Sequence, residues 1–459
     1  MKRKSLTKHL LFCISILLIS CKNSEQLADY EALKNMAIQK NNLYQTVYEY
    51  DIEHPDFFES KVDLVSLCIL NNDFENANDF IKRAEVLLKN RISKEYLCNF
   101  YGLKASILMN EGNYEESLAS VRKANAMKGK VERYSFLEGQ ILFAKGEKSN
   151  SLTILKRAFE NSKKDASLED EKLYALLLAE NEEFDESLMV MNEILEEGNY
   201  WYGLGQLLSS VYEKKGMLFE SILCAFMDYE YASDFFHGND DAFLKNLNIL
   251  KLKYAGKKES REVNEAVEII AANLKNSNYL NSYSDSDFFI FKYLKTKNKI
   301  LAKLNGENEL ENLLTLKKYF SMFPSFHYLV AESISNQKGG IVPLECYETI
   351  LEISPSNKYS DYARIMIGKS IGLNENNSKK LLSFSEIKKL IGNSVRNKSE
   401  KEFSLIFDLL SLPDNKYVFF AQEILKSNLR LENILKTVTE RYMVSDGRLK
   451  ERLNYVLYQ

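Results

Sequence analysis

"LMNEGNYEESLASVRKA" (Leu108–Ala124) and "LFAKGEKSNSLTILKRA" (Leu142–Ala158) share the pattern on which the fold turns. Each begins with an apolar helix end, turns at Gly112 or Gly146, and enters a second helix that closes on Ala124 or Ala158, 34 residues apart. Glycine at such a turn ends a helix without the steric penalty a side chain meets in the left-handed region. A third copy, "VYEKKGMLFESILCAFMD" (Val211–Asp228), places Gly216 at the turn and Ser221 where the others carry Ser117 and Ser151. "ENEEFDESLMVMNEI" (Glu180–Ile194) lies between and supplies Phe184 and Ser187, so the serine slot recurs in steps of 34, 36 and 34 residues. Upstream, "NNDFENANDFIKRA" (Asn71–Ala84) puts Ala77 in that slot, and Pro55 stands where a repeat would end. A fixed period of this length is the mark of one helical hairpin stacked many times.

Composition agrees. The chain has 459 residues, only 5 Pro and 18 Gly, with 45% hydrophobic and 27% charged residues. Few breakers and ample apolar material favour long helices joined by short turns. Length allows several domains or one elongated array. The formal charge is −4; without Lys2, Arg3, Lys4 and Lys8 it is −8. An acidic body argues against nucleic acid as a partner, because phosphate binding draws on clustered Lys and Arg.

The repeating segments resemble the tetratricopeptide repeat (TPR), a pair of antiparallel helices. The resemblance implies an all-α, right-handed α-solenoid of helix pairs with a helical C-terminal region. It also explains residue types: Ala77, Ser117, Ser151, Ser187 and Ser221 are small so that the second helix of a pair (helix B) can approach the first (helix A). Ile81, Val121, Leu155 and Met191 are the bulky residues expected to fill the space between them. In helix A, Ala105, Gly139 and Tyr212 match the family's slots.

The N-terminus carries basic residues and then an apolar run, Leu10 to Ser20, too short for the ~20 residues of a spanning helix. It reads as an export signal. Leu18-Ile19-Ser20-Cys21 resembles the lipobox of bacterial lipoproteins, whose cysteine is lipidated and becomes the first residue of the mature chain. An uncleaved anchor and an ordinary secretory signal are the other two readings these residues allow. The expected organisation is a signal over 1–20, a tether over 21–26, repeats over 27–235 and a divergent helical segment over 236–314. Further repeats follow over 315–374 and a helical cap over 375–459. In the later repeats Pro324-Ser325 and Pro355-Ser356 precede fresh helices containing Ala331 and Ala363, since proline cannot continue the preceding helix. Pro355, Ser356, Tyr359 and Ala363 are similar to the repeat opening of envelope TPR proteins related to the BamD and YbgF families. Beyond Asn374 the pattern gives four or five more helices, one of them starting near Pro413-Asp414.

Chemistry is sparse. Cys68, Cys98, Cys224 and Cys346 show no metal-ligand spacing, and three of them fall in helical patterns as buried thiols, a Cys68–Cys98 bridge being the alternative. His9, His54, His237 and His327 have no partners at useful spacing, and no HExxH, GxSxG, GxxxxGK[ST] or GxGxxG occurs. "HGNDD" (His237–Asp241) and "SDSDFF" (Ser284–Phe289) read as turns and helix caps. Neither a metal nor a cofactor is expected. The 27 Tyr and 26 Phe read mainly as core, Trp201 in "GNYWYGLG" as a packed joint, and Lys379, Lys380, Lys388, Lys389 and Arg396 as a solvated helix face.

The TPR resemblance further implies a partner groove along helix A, with Asn99, Asn110, Arg133, Gln140, Lys172, Gln206, Glu213 and Lys214 facing it. Gly102 and Ser106 stand where the family's carboxylate clamp would need other residues, so capture of a C-terminal carboxylate is not implied. The function expected is a non-enzymatic, lipid-anchored envelope scaffold for a protein partner, in envelope assembly or maintenance. A regulator of a cell-wall synthase and a helical glycan-processing enzyme using paired carboxylates are the alternatives.

Overall fold

The computed structural model describes residues 26–38, 42–88, 92–127, 133–236, 240–275, 287–301, 308–337, 343–370, 373, 375–397, 400–412, 416–429 and 432–458. The proposed signal and Cys21 lie outside them, as do Pro413 and Asp414. Among the described residues there are helices and turns and no strand. The chain divides between Asn181 and Glu182 into two compact units, a boundary inside the stretch that reads as one run of repeats.

The first unit contains α1 (26–38), α2 (Leu43–Glu53), α3 (Phe58–Leu70), α4 (Phe74–Val86), α5 (Lys94–Asn110), α6 (Tyr114–Ala126), α7 (Arg133–Ala144), α8 (Lys148–Ser162) and α9 (Leu168–Glu180). Helices α3/α4, α5/α6 and α7/α8 are packed antiparallel pairs. Each pair turns in one way. A residue with positive φ ends helix A, and the next N–H reaches back five residues: Asp73 to Cys68 O (2.9 Å), Asn113 to Leu108 O (2.8 Å) and Glu147 to Leu142 O (2.8 Å). This arrangement satisfies carbonyls the helix end would otherwise orphan. Gly112 and Gly146 hold the left-handed position as expected, but in the first pair Asn72 does so, at φ 55°, and Glu182 follows at 63°.

The small-residue slot works through a hydrogen bond as well as through size. Ser117 Oγ donates to Ala105 O and Ser151 Oγ to Gly139 O, each at 2.7 Å and each twelve residues back on helix A. A Cβ on Gly139 would lie 2.6 Å from the Leu155 side chain, so Leu155 occupies the space a side chain would need. Ile81, Val121 and Leu155 are buried, as are Ala77, Ser117 and Ser151. At the N-terminal end, buried Asp51 of α2 accepts from Ser60 Oγ (2.8 Å) and Lys61 Nζ (2.8 Å) of α3, and from Arg83 (2.7 Å) of α4.

The second unit begins with α10 (Phe184–Glu196), α11 (Leu204–Lys214) and α12 (Leu218–Phe236). Helices α11 and α12 repeat the pair: Gly216 has φ 76°, Met217 N–H reaches Tyr212 O at 2.9 Å, and Ser221 Oγ donates to Ser209 O at 2.9 Å. Buried Ser187 and Met191 of α10 sit in their expected slots. Next come α13 (Asp240–Tyr254), α14 (Ser260–Leu274), α15 (Phe289–Leu301), α16 (Glu309–Phe320) and α17 (Pro324–Gln337). Here simple succession stops. Helix α14 packs on α12, and the end of α16 returns to the end of α10: Ser321 Oγ donates to Gly198 O at 3.1 Å, and Lys318 pairs with Glu196 at 2.6 Å. The segment expected to be divergent is thus a hairpin, α13/α14, plus α15, interposed before the chain rejoins its earlier helices.

The rest is α18 (Leu344–Ile353), α19 (Ser360–Ser370), the single turn α20 (Glu375–Ser378), α21 (Phe384–Asn397), α22 (Glu400–Leu410), α23 (Lys416–Ser427), α24 (Glu432–Val444) and α25 (Gly447–Tyr458). One apolar core runs from Ala331 through Val456. Pro324 opens α17, while Pro355 stands five residues before α19, whose entry is shaped by Asn357. Ala331 and Ala363 are buried. Cys68, Cys98 and Cys224 are buried and Cys346 is half-buried, none of them disulfide-bonded to another of the four.

Candidate partner-binding residues and an acidic cleft

The residues assigned to the helix A groove fall into distinct settings. Asn99 and Gln140 join successive A helices: Tyr134 OH donates to Asn99 Oδ1 at 3.0 Å, and Gln140 Nε2 to Asp170 Oδ1 at 2.7 Å. Lys172 is half-buried and pairs with Glu169 at 2.6 Å. Asn110 is exposed at the end of α5, and Glu213 and Lys214 at the end of α11. Gln206 is exposed, with its backbone N–H held by Asp228 at 3.0 Å. Arg133 begins α7, and its side chain lies outside the described set. A helix A face that lines a groove also meets the next helix A, and Tyr134 and Asp170, one repeat on, were the signal for that contact. At Gly102 the Tyr134 ring fills the place of any side chain, 1.9 Å from an added Cβ, so a clamp residue has no room there.

A second cluster was not singled out in the sequence. Helix α12 carries Asp228, Glu230 and Asp234, all buried. Asp228 accepts the Tyr200 hydroxyl at 2.7 Å and the N–H groups of Gly203 (3.1 Å), Gly205 (3.2 Å) and Gln206 (3.0 Å), capping α11 from outside. Close approach requires the glycines: Gly203 has φ 105°, and a Cβ on Gly205 would lie 2.4 Å from Cys224 O. "GNYWYGLG" is therefore a packed joint, with Tyr200 buried, Trp201 half-buried and Tyr202 exposed. Glu230 accepts from Tyr293 OH and Lys297 Nζ, both at 2.7 Å. Asp234 accepts the Ser325 N–H at 2.9 Å and so caps α17. Burial, reinforced by the charge of Glu230 one turn away, raises the Asp234 carboxyl to about 7, against the pull of the Ser325 N–H. Burial likewise pushes the Tyr200 and Tyr293 hydroxyls well up. Beside Glu230 and Asp234 opens a cleft of about 190 Å³ that Asn273, Lys297, Lys358 and Tyr359 also line. The legible signal was three carboxylates in "CAFMDYEYASDFF" (Cys224–Phe236), a helix too aromatic to leave them all in solvent.

Among the described residues no group of three His, Cys, Asp or Glu could hold a metal ion. Asp240 of "HGNDD" bonds Tyr229 OH, and His237 to Asn239 lie outside the described set. In "SDSDFF", Ser284 to Ser286 lie outside it and Asp287 pairs with Lys292 at 2.8 Å. His54 stacks on Tyr50, and buried His327 meets Ser321 O at 2.8 Å. Lys379, Lys380, Lys388 and Lys389 are exposed, and the Arg396 side chain lies outside the described set. No described helix is long and apolar enough to cross a membrane.

No protein-family model matches the chain, and no curated protein matches it. Among solved structures it is similar to one described as "Structure of Naa15/Naa10 bound to HypK-THB", at 13% identity, covering 94% of this chain and 79% of that one with a TM-score of 0.24. At that score two helical chains need share no more than their helices.

Proposed function

We propose that this protein is a lipid-anchored scaffold of the bacterial envelope, built on TPR-type helix pairs, that holds a protein partner and carries out no chemistry itself. One observation supports the repeat reading above others. The αL turn and the serine-to-carbonyl bond twelve residues back recur in α5/α6, α7/α8 and α11/α12, so the period is built into packing and not only into composition. Arrays of this kind bury each hairpin on its neighbours and offer an extended concave surface to partners. Asn110, Glu213 and Lys214, expected to face that surface, are exposed. The address rests on Cys21 and the apolar run before it.

Two measurements test the parts separately. Radiolabelled palmitate should enter the wild-type protein and not Cys21→Ala; incorporation into the variant removes the lipid anchor. Crosslinking in intact membranes followed by capture of this chain should recover a reproducible protein partner. That yield should fall when Asn110, Glu213 and Lys214 are replaced together by alanine. Recovery of no reproducible protein would sink the scaffold reading, whatever the labelling gives.

A further inference from the structure

Helix α13 packs along α14, and its Phe243 ring meets Phe226 and Tyr229 of α12 at centroid distances of 5.7 and 4.1 Å. Of its 15 residues Leu247 alone is buried. On the side away from Leu247, Ile249 is 57% and Leu252 76% exposed. At about 100° per residue, Lys245, Ile249, Leu252 and Lys253 form one stripe along the helix, and both lysines are exposed. The charge of this stretch is opposite to that of the chain. Leu244 to Lys258 holds five lysines, Lys245, Lys251, Lys253, Lys257 and Lys258, and no Asp or Glu, in a sequence of net charge −4. Lys251 pairs with Glu268 at 3.3 Å and Lys258 with Glu259 at 3.5 Å. Lys245, Lys253 and Lys257 have no carboxylate partner among the described residues; the last two lie 5.5 and 4.8 Å from the Tyr254 ring centre. Asp240 and Asp241 stand at the other end of the helix, so the basic and apolar part is its C-terminal half and the turn at Gly256.

We propose that this face of α13 and the turn after it lie on an anionic phospholipid surface. Ile249 and Leu252 enter the boundary between headgroups and acyl chains, and Lys245, Lys253 and Lys257 stand among the phosphates. The residue types favour a lipid surface over a protein pocket. Lysine is a point charge on a flexible stem, which can lie along apolar material while its ammonium reaches outward, and it needs no partner of fixed geometry. A fluid layer of phosphates supplies charge wherever the ammoniums fall. Two aliphatic side chains and a few lysines hold a protein reversibly, and salt screens the charges. The contact goes beyond the anchor at Cys21 and does not depend on it; together the two would fix which side of the second unit faces the membrane.

Leu252→Trp in the full chain puts a fluorescent reporter on this face, and the wild-type protein, whose one tryptophan is Trp201, is the blank. Vesicles of phosphatidylglycerol and phosphatidylcholine should shift the reporter's emission to the blue. Bromine on their acyl chains should quench it by roughly half beyond the blank, as a side chain ~5–10 Å deep requires. Vesicles of phosphatidylcholine alone, or about 0.5 M salt, should give neither effect. Adding Lys245→Glu, Lys253→Glu and Lys257→Glu should raise the lipid needed for half the signal roughly tenfold or more, and Ile249→Ser by less. All four positions are exposed, and circular dichroism checks that helix content is kept. Emission unmoved by anionic vesicles, an equal response to neutral ones, or a triple variant that responds like its parent would each overturn the proposal. So would a blue shift without lipid that grows with protein concentration, which assigns the face to a second copy of the chain. The readout is depth at position 252 because the N-terminal apolar run can hold the chain on a vesicle by itself. Palmitate labelling at Cys21 reports on the anchor alone, so either result can fail while the other stands.

Discussion

In the first unit Tyr134 reaches back 35 residues to Asn99, and Gln140 reaches forward 30 to Asp170. In the second, Ser321 closes on Gly198 across 123 residues, and Ser325 on Asp234 across 91. The first unit gains most of its polar contacts between neighbouring hairpins, with one longer tie at its N-terminal end where Tyr96 of α5 meets Glu31 and Lys34 of α1, so its stability is closer to a sum of local terms. The second adds ties between distant stretches of chain, and its helices from α12 to α17 must assemble together. Loop closure of that length costs little in equilibrium stability but delays folding.

The contrast can be broken at several points. The largest effect is expected from Asp51→Ala, which strands the buried Lys61 ammonium. It should cost about 3–5 kcal/mol in urea unfolding, with loss of amide protection confined to α2–α4 and their neighbours. Phe323→Ala removes a fully buried ring packed on Tyr200 (4.7 Å) and Tyr231 (5.3 Å) and should cost about 3–4 kcal/mol. Here protection should fall together around 200, 231 and 323. If both variants loosen only their own hairpins, the distinction between local and distant ties fails.

A pH titration of stability sharpens the same point. Folded Asp234 keeps its proton up to about pH 7, while unfolded it loses it near 3.8. Between these values the folded state holds more protons, so the second unit loses stability as pH rises through the window and levels off above it. The change is on the order of 4 kcal/mol, and Asp234→Asn should flatten it. His327, held below its ordinary 6.5 by burial, adds an opposite slope at lower pH in both proteins, which cancels in the difference. Ser151→Ala removes one hydrogen bond to Gly139 O and should cost the first unit about 1 kcal/mol, with no effect beyond its own pair. The smallest change should be a gain. Glu182→Gly relieves a left-handed backbone and should add about 0.5–1 kcal/mol in thermal denaturation.

Legibility followed the range of the interactions. The hairpin period, the small slots at Ser117, Ser151 and Ser221, and the glycine turns were readable because each involves residues within about a dozen positions. Asn72 and Glu182 were missed because the turn geometry is set by the helices around it, which can hold a strained residue at modest cost. Asn99 and Gln140 read as groove residues, and their bonds to Tyr134 and Asp170 were not legible because those partners come one repeat later. The α12 carboxylates went unnoticed because a helix with Asp228, Glu230 and Asp234 looks amphipathic until Tyr200, Tyr293 and Ser325 arrive from three other segments.

The amino-acid order alone determined that this chain forms paired helices, where the pairs turn, and which small and bulky residues let them touch. Those choices are made by local sterics and by hydrogen bonds that span a single hairpin. Only the tertiary structure decided that α16 returns to α10, that Asp228 and Asp234 cap helices other than their own, and that Glu230 is buried against Tyr293 and Lys297. Each depends on burial, which strips water from a polar group and leaves its partner to be supplied by whichever distant segment the fold brings near.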